Sequence, residues 1–170
     1  MIKGLILDLD QTLVDSSNAT EARRSRDWQR VYSLIPSFRV YQGIHDALNI
    51  ARNKGLKIAI VSTSPRPYVL KVLNYHRIHA DCIIGYHDAA RPKPSPEPML
   101  EALRQMNLRS DEVISLGDKL TDFQSSRSAA LPFIACRWGG PEFHRTGSTI
   151  GCRAVLDRSE QLVSYLQQNS

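Results

Sequence analysis

Short apolar runs alternate with longer amphipathic stretches along most of this chain, and this order restricts the folds open to it. Five runs have the length and composition of buried strands, and the stretches between them have helical periodicity. The predicted strands are residues 2–8, 56–62, 81–85, 112–117 and 132–137, and the predicted helices are residues 18–33, 43–54, 65–77, 96–107, 120–130 and 158–168. Strands that alternate with helices predict an α/β fold, a three-layer α/β/α sandwich with a mostly parallel sheet. A further short strand at residues 153–156 is expected at an edge of the sheet.

The length of 170 residues predicts a single domain over residues 1–170. No apolar stretch reaches the roughly 20 residues of a membrane span, and the first apolar run is too short for a signal peptide. We therefore expect a cytoplasmic protein with no membrane partner. The three cysteines, Cys82, Cys136 and Cys152, form no CxxC pattern and are predicted to be reduced. The formal net charge of +5 is compatible with an anionic substrate.

Polar side chains follow four of the predicted strands, at the edge where open α/β sheets carry their chemistry. They are Asp8, Asp10 and Thr12 after the first strand, Ser62 and Thr63 after the second, Lys93 beyond the third, and Asp118 and Asp122 after the fourth. Each alone has an ordinary explanation, such as a serine at a helix N-cap or an aspartate in a first helical turn. Together they predict a cluster of acids. Because buried acids are costly unless a cation compensates them, a divalent metal ion is the natural partner.

In these motifs the chain resembles the haloacid dehalogenase-like hydrolases. Asp8-x-Asp10-x-Thr12 is similar to the first motif of that family, Ser62 to the second, Lys93 to the third, and Gly117-Asp118-x-x-x-Asp122 to the fourth. The resemblance covers about residues 2–140, and Trp138-Gly139 looks like the phosphoglycolate phosphatase branch. It implies a Rossmann-like sheet. Gln11 departs from the pattern, since most members carry glycine there, and we expect this departure to alter only the local turn.

The resemblance also implies a mechanism. Asp8 would be the nucleophile that forms an aspartyl-phosphate, and Asp10 would be the general acid and base. The other implied roles are ligation of Mg²⁺ by Asp8, the backbone carbonyl of Asp10 and Asp118, phosphate binding by Ser62, Thr63 and Lys93, and support of these groups by Asp122 and Thr12. An aspartate two positions after the nucleophile suits an alcohol leaving group, so the implied activity is that of a Mg²⁺-dependent phosphatase acting on a phosphate monoester.

Charge counting at this predicted site favours a bound cation. Four ionised carboxylates outweigh Lys93 and Mg²⁺ by one negative charge before a dianionic phosphate arrives. Protonation of Asp10 would remove this excess and provide the proton that the leaving group needs. We therefore expect activity to fall on chelation of the metal and at alkaline pH.

Only about thirty residues separate Thr12 from the helix near Gly43, which leaves room for a short cap-like insert at about residues 13–42. Since a larger cap closes over small substrates, we expect an open site that suits a bulky or macromolecular substrate. The phosphorylated substrate could be a small molecule, a protein or a nucleic acid. The insert also carries clustered arginines, which form either a solvated helix face or a surface for an anionic partner. They are Arg23, Arg24, Arg26 and Arg30.

Other interpretations stay open at the level of sequence. A polynucleotide or nucleotide phosphatase would use the arginines to bind its substrate, with Trp28, Tyr32 and Tyr41 either stacking on bases or packing on the core. A phosphoacceptor resembling a receiver domain is disfavoured, because its acceptor aspartate follows the third strand. A non-catalytic regulatory or binding protein on the same scaffold is a further alternative. No motif indicates the role of residues 141–157, where His144 is expected at the surface.

Overall fold

The computed structural model describes residues 1–169, which form a central parallel sheet with helices packed on both of its faces. The strands are β1 (Gly4–Leu7), β2 (Val14–Asp15), β3 (Arg39–Val40), β4 (Lys57–Val61), β5 (Cys82–Ile84), β6 (Val113–Gly117), β7 (Phe133–Cys136) and β8 (Ala154–Leu156). Six of them form the main sheet in the order β5-β4-β1-β6-β7-β8, and every neighbouring pair is parallel. The predicted α/β fold with a parallel sheet is confirmed, and so is the late strand at an edge.

Both faces of this sheet are buried, which is why its strands read as apolar runs rather than as alternating patterns. The helices are α1 (Thr20–Arg24), α2 (Trp28–Leu34), α3 (Ile44–Asn53), α4 (Arg66–Tyr75), α5 (Glu97–Met106), α6 (Leu120–Ser128) and α7 (Gln161–Gln168). Leu5 and Leu7 of β1 pack in the cluster that contains α3, α4 and α7, whereas Ile6 packs in the cluster that contains α5. Successive residues of a strand point to opposite faces, so β1 contributes to two cores and the protein has three layers.

The insert between β1 and α3 differs from its prediction as one helix over residues 18–33. Two short helices, α1 and α2, replace it, and the chain between them passes through Arg26 in the left-handed region at φ 58°. The side chain of Asp27 then accepts a hydrogen bond from the Arg30 backbone N–H and caps the start of α2. The first helix thus ends before the left-handed Arg26, and the N-cap at Asp27 starts the second. The two-residue strands β2 and β3 pair antiparallel at the base of the insert.

Two further sequence expectations concern the chain as a whole. In residues 1–169 no helix has the length and apolar character needed to cross a bilayer, and the longest helices have 10 residues. The three cysteines are free, as predicted, with Cys82 and Cys136 buried and Cys152 partly buried.

Candidate active site

Three carboxylates from two distant parts of the chain meet at the carboxyl edge of the sheet. Asp8 follows β1, Asp118 follows β6, and Asp122 lies in the first turn of α6. Each offers an oxygen atom within 4.8 Å of those of the other two. They are brought together because β1 and β6 are neighbours in register, with Leu7 beside Leu116. Parallel strands that end together place their following residues side by side.

Lys93 is the cation that this carboxylate cluster contacts directly. Its ammonium group donates hydrogen bonds to Asp8 Oδ1 at 2.9 Å, to Asp122 Oδ1 at 2.6 Å and to the Val61 carbonyl at 2.9 Å. Burial alone would lower the pKa of Lys93, but the carboxylates of Asp122 and Asp8 outweigh it and raise the pKa above its ordinary value. Lys93 is therefore a permanent buried charge at the edge of β4 and β1.

One lysine does not balance three carboxylates, and the pKa values of Asp118 and Asp8 are raised. Burial and then the neighbouring Asp8 and Asp122 raise the pKa of Asp118 to about 9. Burial and the charge of Asp122 raise the pKa of Asp8 to about 6. A raised pKa means that burial and neighbouring negative charge disfavour the ionised form of these carboxyl groups, and a bound cation would compensate both effects. All the donors are carboxylate oxygens, so the cluster fits a hard divalent ion such as Mg²⁺.

Thr12 and Asp122, the two residues predicted to support the site, hold its other groups in place. The Thr12 hydroxyl donates to Asp118 Oδ1 at 3.1 Å and fixes the orientation of that carboxylate. Asp122 Oδ2 accepts from the Lys119 backbone N–H at 3.0 Å while its Oδ1 faces Lys93. With both of its oxygens engaged by the protein, Asp122 orients Lys93 and the start of α6, whereas Asp8 and Asp118 keep capacity for an ion.

Asp10 has a different environment, although only one residue separates it from Asp8. Its Oδ1 accepts hydrogen bonds from the Ser16 hydroxyl at 2.6 Å and the Tyr68 hydroxyl at 2.5 Å, and it lies 3.4 Å from Arg23 Nη1. Burial and the charge of Asp10 raise the pKa of Tyr68 above its ordinary value, so the phenol stays protonated and donates. These donors hold one oxygen of Asp10, and within residues 1–169 its Oδ2 receives no hydrogen bond.

Arg23 changes the charge balance expected from the sequence. The sequence-based count includes only Lys93 and Mg²⁺ as positive charges and leaves one negative charge in excess. The guanidinium of Arg23 adds a further positive charge beside Asp10. It comes from α1, so the insert contributes directly to the site. Sequence reasoning placed Arg23 only in a general basic patch, because the fold that directs it inward is not readable from residue spacing.

A small pocket of about 100 Å³ lies in front of these acids. Six predicted site residues line it, namely Asp8, Asp10, Ser62, Thr63, Lys93 and Asp122. Asp118 and Thr12 are buried behind them. The Ser62 hydroxyl accepts from the Ser64 backbone N–H at 3.1 Å and shapes the loop after β4. Arg23, Ser64, Lys119 and Thr121 also line the pocket and were missed as site residues.

The chain after β7 closes the back of the site. The Trp138 indole N–H donates to the Thr12 carbonyl at 3.0 Å, and a Cβ at Gly139 would overlap the carbonyl oxygen of Gln11. Gln11 itself adopts φ 63°, a left-handed conformation that glycine adopts more easily, and its side-chain oxygen accepts from the Ser16 backbone N–H at 2.8 Å. The side chain thereby holds the turn that carries Asp10.

Two residues of the segment after β7 lie outside the motifs. His144 is exposed, as expected, and its Nε2 lies 3.1 Å from the Arg137 carbonyl. Glu142, from the segment without a motif, accepts a hydrogen bond from the Leu120 N–H at the start of α6 at 2.5 Å. One role of the 141–157 segment is therefore to cap the helix that carries Asp122.

The sequence profile of the haloacid dehalogenase-like hydrolase family matches residues 22–136. The chain belongs to this family. The matched range includes Ser62, Lys93, Asp118 and Asp122, whereas Asp8 and Asp10 precede it. The family predicted from the motifs is confirmed.

The chain is also similar to curated phosphoglycolate phosphatases. The chain is 24% identical over 147 residues to a phosphoglycolate phosphatase from Nitrosospira multiformis, covering 84% of this chain and 64% of the relative. It is 26% identical over 102 residues to the phosphoglycolate phosphatase of Escherichia coli K12, covering 59% of this chain and 40% of that one. The chain thus spans less than two thirds of the length of these relatives.

Solved structures share the fold at lower sequence identity. The crystal structure of CbbY from Rhodobacter sphaeroides, in complex with phosphate, superposes with a TM-score of 0.80 at 20% identity over 95% of this chain and 96% of that one. A subfamily IA hydrolase of the same superfamily from Geobacter sulfurreducens superposes with a TM-score of 0.76 at 18% identity, covering 97% and 100% of the two chains.

Proposed function

We propose that this protein is a Mg²⁺-dependent phosphatase that hydrolyses a phosphate monoester through an aspartyl-phosphate on Asp8. The observation that carries the proposal is the separation of two neighbouring acids into unlike environments. Asp8 lies beside Lys93 and Asp118, while Asp10 is held by Ser16, Tyr68 and Arg23. Two carboxylates in different surroundings can serve as nucleophile and as acid and base.

The residues of the chain support a two-step reaction. A carboxylate oxygen of Asp8 bonds to phosphorus as the bond to the leaving oxygen breaks, and Asp10 gives that oxygen a proton. Water then attacks the same phosphorus, Asp10 takes its proton, and inorganic phosphate and free Asp8 are released. Ser62, the Thr63 amide and Lys93 would bind the phosphoryl oxygens, and the position of these three residues in the pocket lining supports that role.

The implied metal has a defined place in this proposal. Asp8 and Asp118 would hold the ion together with the backbone carbonyl of Asp10, and the ion would neutralise charge on the phosphoryl group. The two α-helices of the insert have only five and seven residues, which supports an open site for a bulky substrate. The phosphoglycolate phosphatase relatives favour the phosphatase class, and the substrate itself is part of the proposal.

Asp8→Asn tests the proposal directly. Turnover of phosphate monoesters with Mg²⁺ should fall by orders of magnitude, because an amide oxygen is a poor nucleophile, while the circular dichroism spectrum stays unchanged. Acid quenching of the wild type with a ³²P-labelled substrate should trap labelled protein, and the variant should show none. Full turnover by the variant, or by the wild type in excess EDTA, would contradict the mechanism. A wild type without phosphatase activity would favour the regulatory alternative.

A further inference from the structure

A larger groove of about 580 Å³ opens directly beside the catalytic pocket. The two share Arg23, Thr63 and Ser64 in their linings, so a substrate whose phosphate enters the pocket extends its leaving group into the groove. The insert contributes Arg23, Arg24, Arg26 and Trp28, and the loop after β5 contributes Tyr86 and His87. Arg30 of the predicted basic patch does not line it.

Carboxylates of the protein neutralise only part of the positive charge that the arginines bring to this groove. No carboxylate is among its lining residues. Within residues 1–169, Arg26 forms no ion pair, and Arg24 pairs only with Glu21 at 3.3 Å, where both side chains are about three-quarters exposed. Exposed pairs of this kind contribute little, roughly 0–1 kcal/mol, and yield easily to a better partner. The groove therefore fits a leaving group that carries an anion of its own.

The same groove offers aromatic surface beside the arginines. The centroid of the Trp28 ring lies 5.8 Å from that of Tyr68 and 6.3 Å from that of Tyr32, so the ring is held at the wall of the groove and stays partly exposed. Tyr86 is 45% exposed and lies edge-on to His87 at 4.9 Å. A cationic groove with aromatic rings is the combination that binds nucleotide units, because phosphates meet arginines and bases stack on rings.

We propose that the substrate is a nucleotide that carries a second phosphate, and that this groove binds its base and that second phosphate. The inference rests on the proposed phosphatase function and specifies its leaving group. The nucleotide comes either as a free nucleoside bisphosphate or as the phosphorylated terminal nucleotide of a strand. Both present one phosphate to Asp8, a base to Trp28 or Tyr86, and a second phosphate to Arg24 and Arg26.

Steady-state kinetics with Mg²⁺ and a matched set of substrates test this inference. The set is adenosine 3′,5′-bisphosphate, a 5′-phosphorylated trinucleotide, adenosine 5′-monophosphate, a sugar bisphosphate without a base, and p-nitrophenyl phosphate. We expect kcat/KM for the first two to exceed that for the monophosphate by about tenfold or more, and this preference should shrink as salt is added. The ratio between the first two distinguishes the free nucleotide from the strand end.

Two double variants distinguish the effect of the groove arginines from the effect of the net charge of the protein. Arg24→Gln combined with Arg26→Gln should bring the ratio of bisphosphate to monophosphate kcat/KM toward one. Arg77→Gln combined with Arg109→Gln removes the same number of charges from the opposite edge of the sheet, where both side chains are exposed, and should preserve the ratio. Equal kcat/KM for all five substrates, faster turnover of the sugar bisphosphate, or equal effects of the two double variants would overturn the inference.

Failure of the proposed function would give a different pattern. If none of the five substrates turns over, calorimetric titration of Asp8→Asn with adenosine 3′,5′-bisphosphate tests nucleotide binding in the groove independently of turnover. Binding that weakens about tenfold in the Arg24→Gln, Arg26→Gln background supports the groove as a nucleotide site. Absence of binding, or binding that the arginine substitutions leave unchanged, removes it.

Discussion

Asp8 and Asp10 are separated by one residue, yet their carboxylates meet different partners. Asp8 lies with Lys93 and Asp118, where burial and negative neighbours raise its pKa to about 6. Asp10 points instead to Ser16, Tyr68 and Arg23. The turn at Gln11, with φ 63°, bends the chain between strand and insert and sends the two side chains apart. This turn is what allows one short motif to provide two chemical roles.

Tyr68→Phe is predicted to impair catalysis without unfolding the protein. The substitution removes the 2.5 Å hydrogen bond to Asp10 Oδ1 while the ring still fills its fully buried place. Loss of one hydrogen bond to a charged group is worth roughly 1.5–3 kcal/mol, so kcat/KM should fall about tenfold or more. Tyr75→Phe on the same helix is the control, because Tyr75 is 55% exposed. Equal kcat/KM in all three proteins would show that Tyr68 does not position Asp10.

The residues of the site could be predicted from the sequence only where a motif carries them. Asp8, Lys93, Asp118 and Asp122 follow strands that are visible as apolar runs, and the structure brings them together. Tyr68 could not be predicted in the same way, since 58 residues separate it from Asp10 and its helix reads as an ordinary amphipathic stretch. A contact of that kind depends on the packing of α4 against the insert, which periodicity does not encode.

At the scale of elements, the insert is the part that departs from its sequence pattern. Arginine-rich residues 18–33 have helical periodicity, but the left-handed Arg26 and the cap at Asp27 divide them into α1 and α2. The pairing of β2 with β3 was also not predictable, because two-residue strands leave no alternating pattern. The long strands and helices were recognisable since each spans enough residues to display its period.

Asp27→Ala is predicted to destabilise this insert. The substitution removes the side chain that accepts from the Arg30 N–H at 3.1 Å, and loss of an N-cap typically costs about 1 kcal/mol. In a protein of this size the melting temperature should fall by about 2–4 °C. Asp27→Asn retains a capping oxygen and should melt close to the wild type. If both variants melt alike, Asp27 acts through its charge rather than as a cap.

For the whole molecule, the order of strands decides where charge accumulates. β1 lies between β4 and β6, so the ends of three central strands deliver Asp8, Ser62 and Asp118 to one edge. The protein supplies Lys93 and Arg23 against four carboxylates. Without a divalent ion, burial and this excess of negative charge raise the pKa values of Asp118 and Asp8 from 3.8 to about 9 and about 6.

Mg²⁺ is therefore predicted to stabilise the protein, and more strongly at higher pH. A carboxyl group with a pKa raised by folding contributes stability below its unfolded pKa and loses that contribution as pH rises through its folded pKa. The metal-free protein should thus lose stability as pH rises from about 4 towards about 9, the interval that the pKa values of Asp8 and Asp118 define. A bound Mg²⁺ ion takes the place of the protons and restores this stability. The gain in the free energy of unfolding is about 2.7 kcal/mol when the free Mg²⁺ concentration is a hundred times the dissociation constant. Thermal unfolding with and without MgCl₂ measures this gain, and Asp118→Asn should lose most of it. A gain that is equal at about pH 5 and about pH 8 would mean that the ion binds elsewhere.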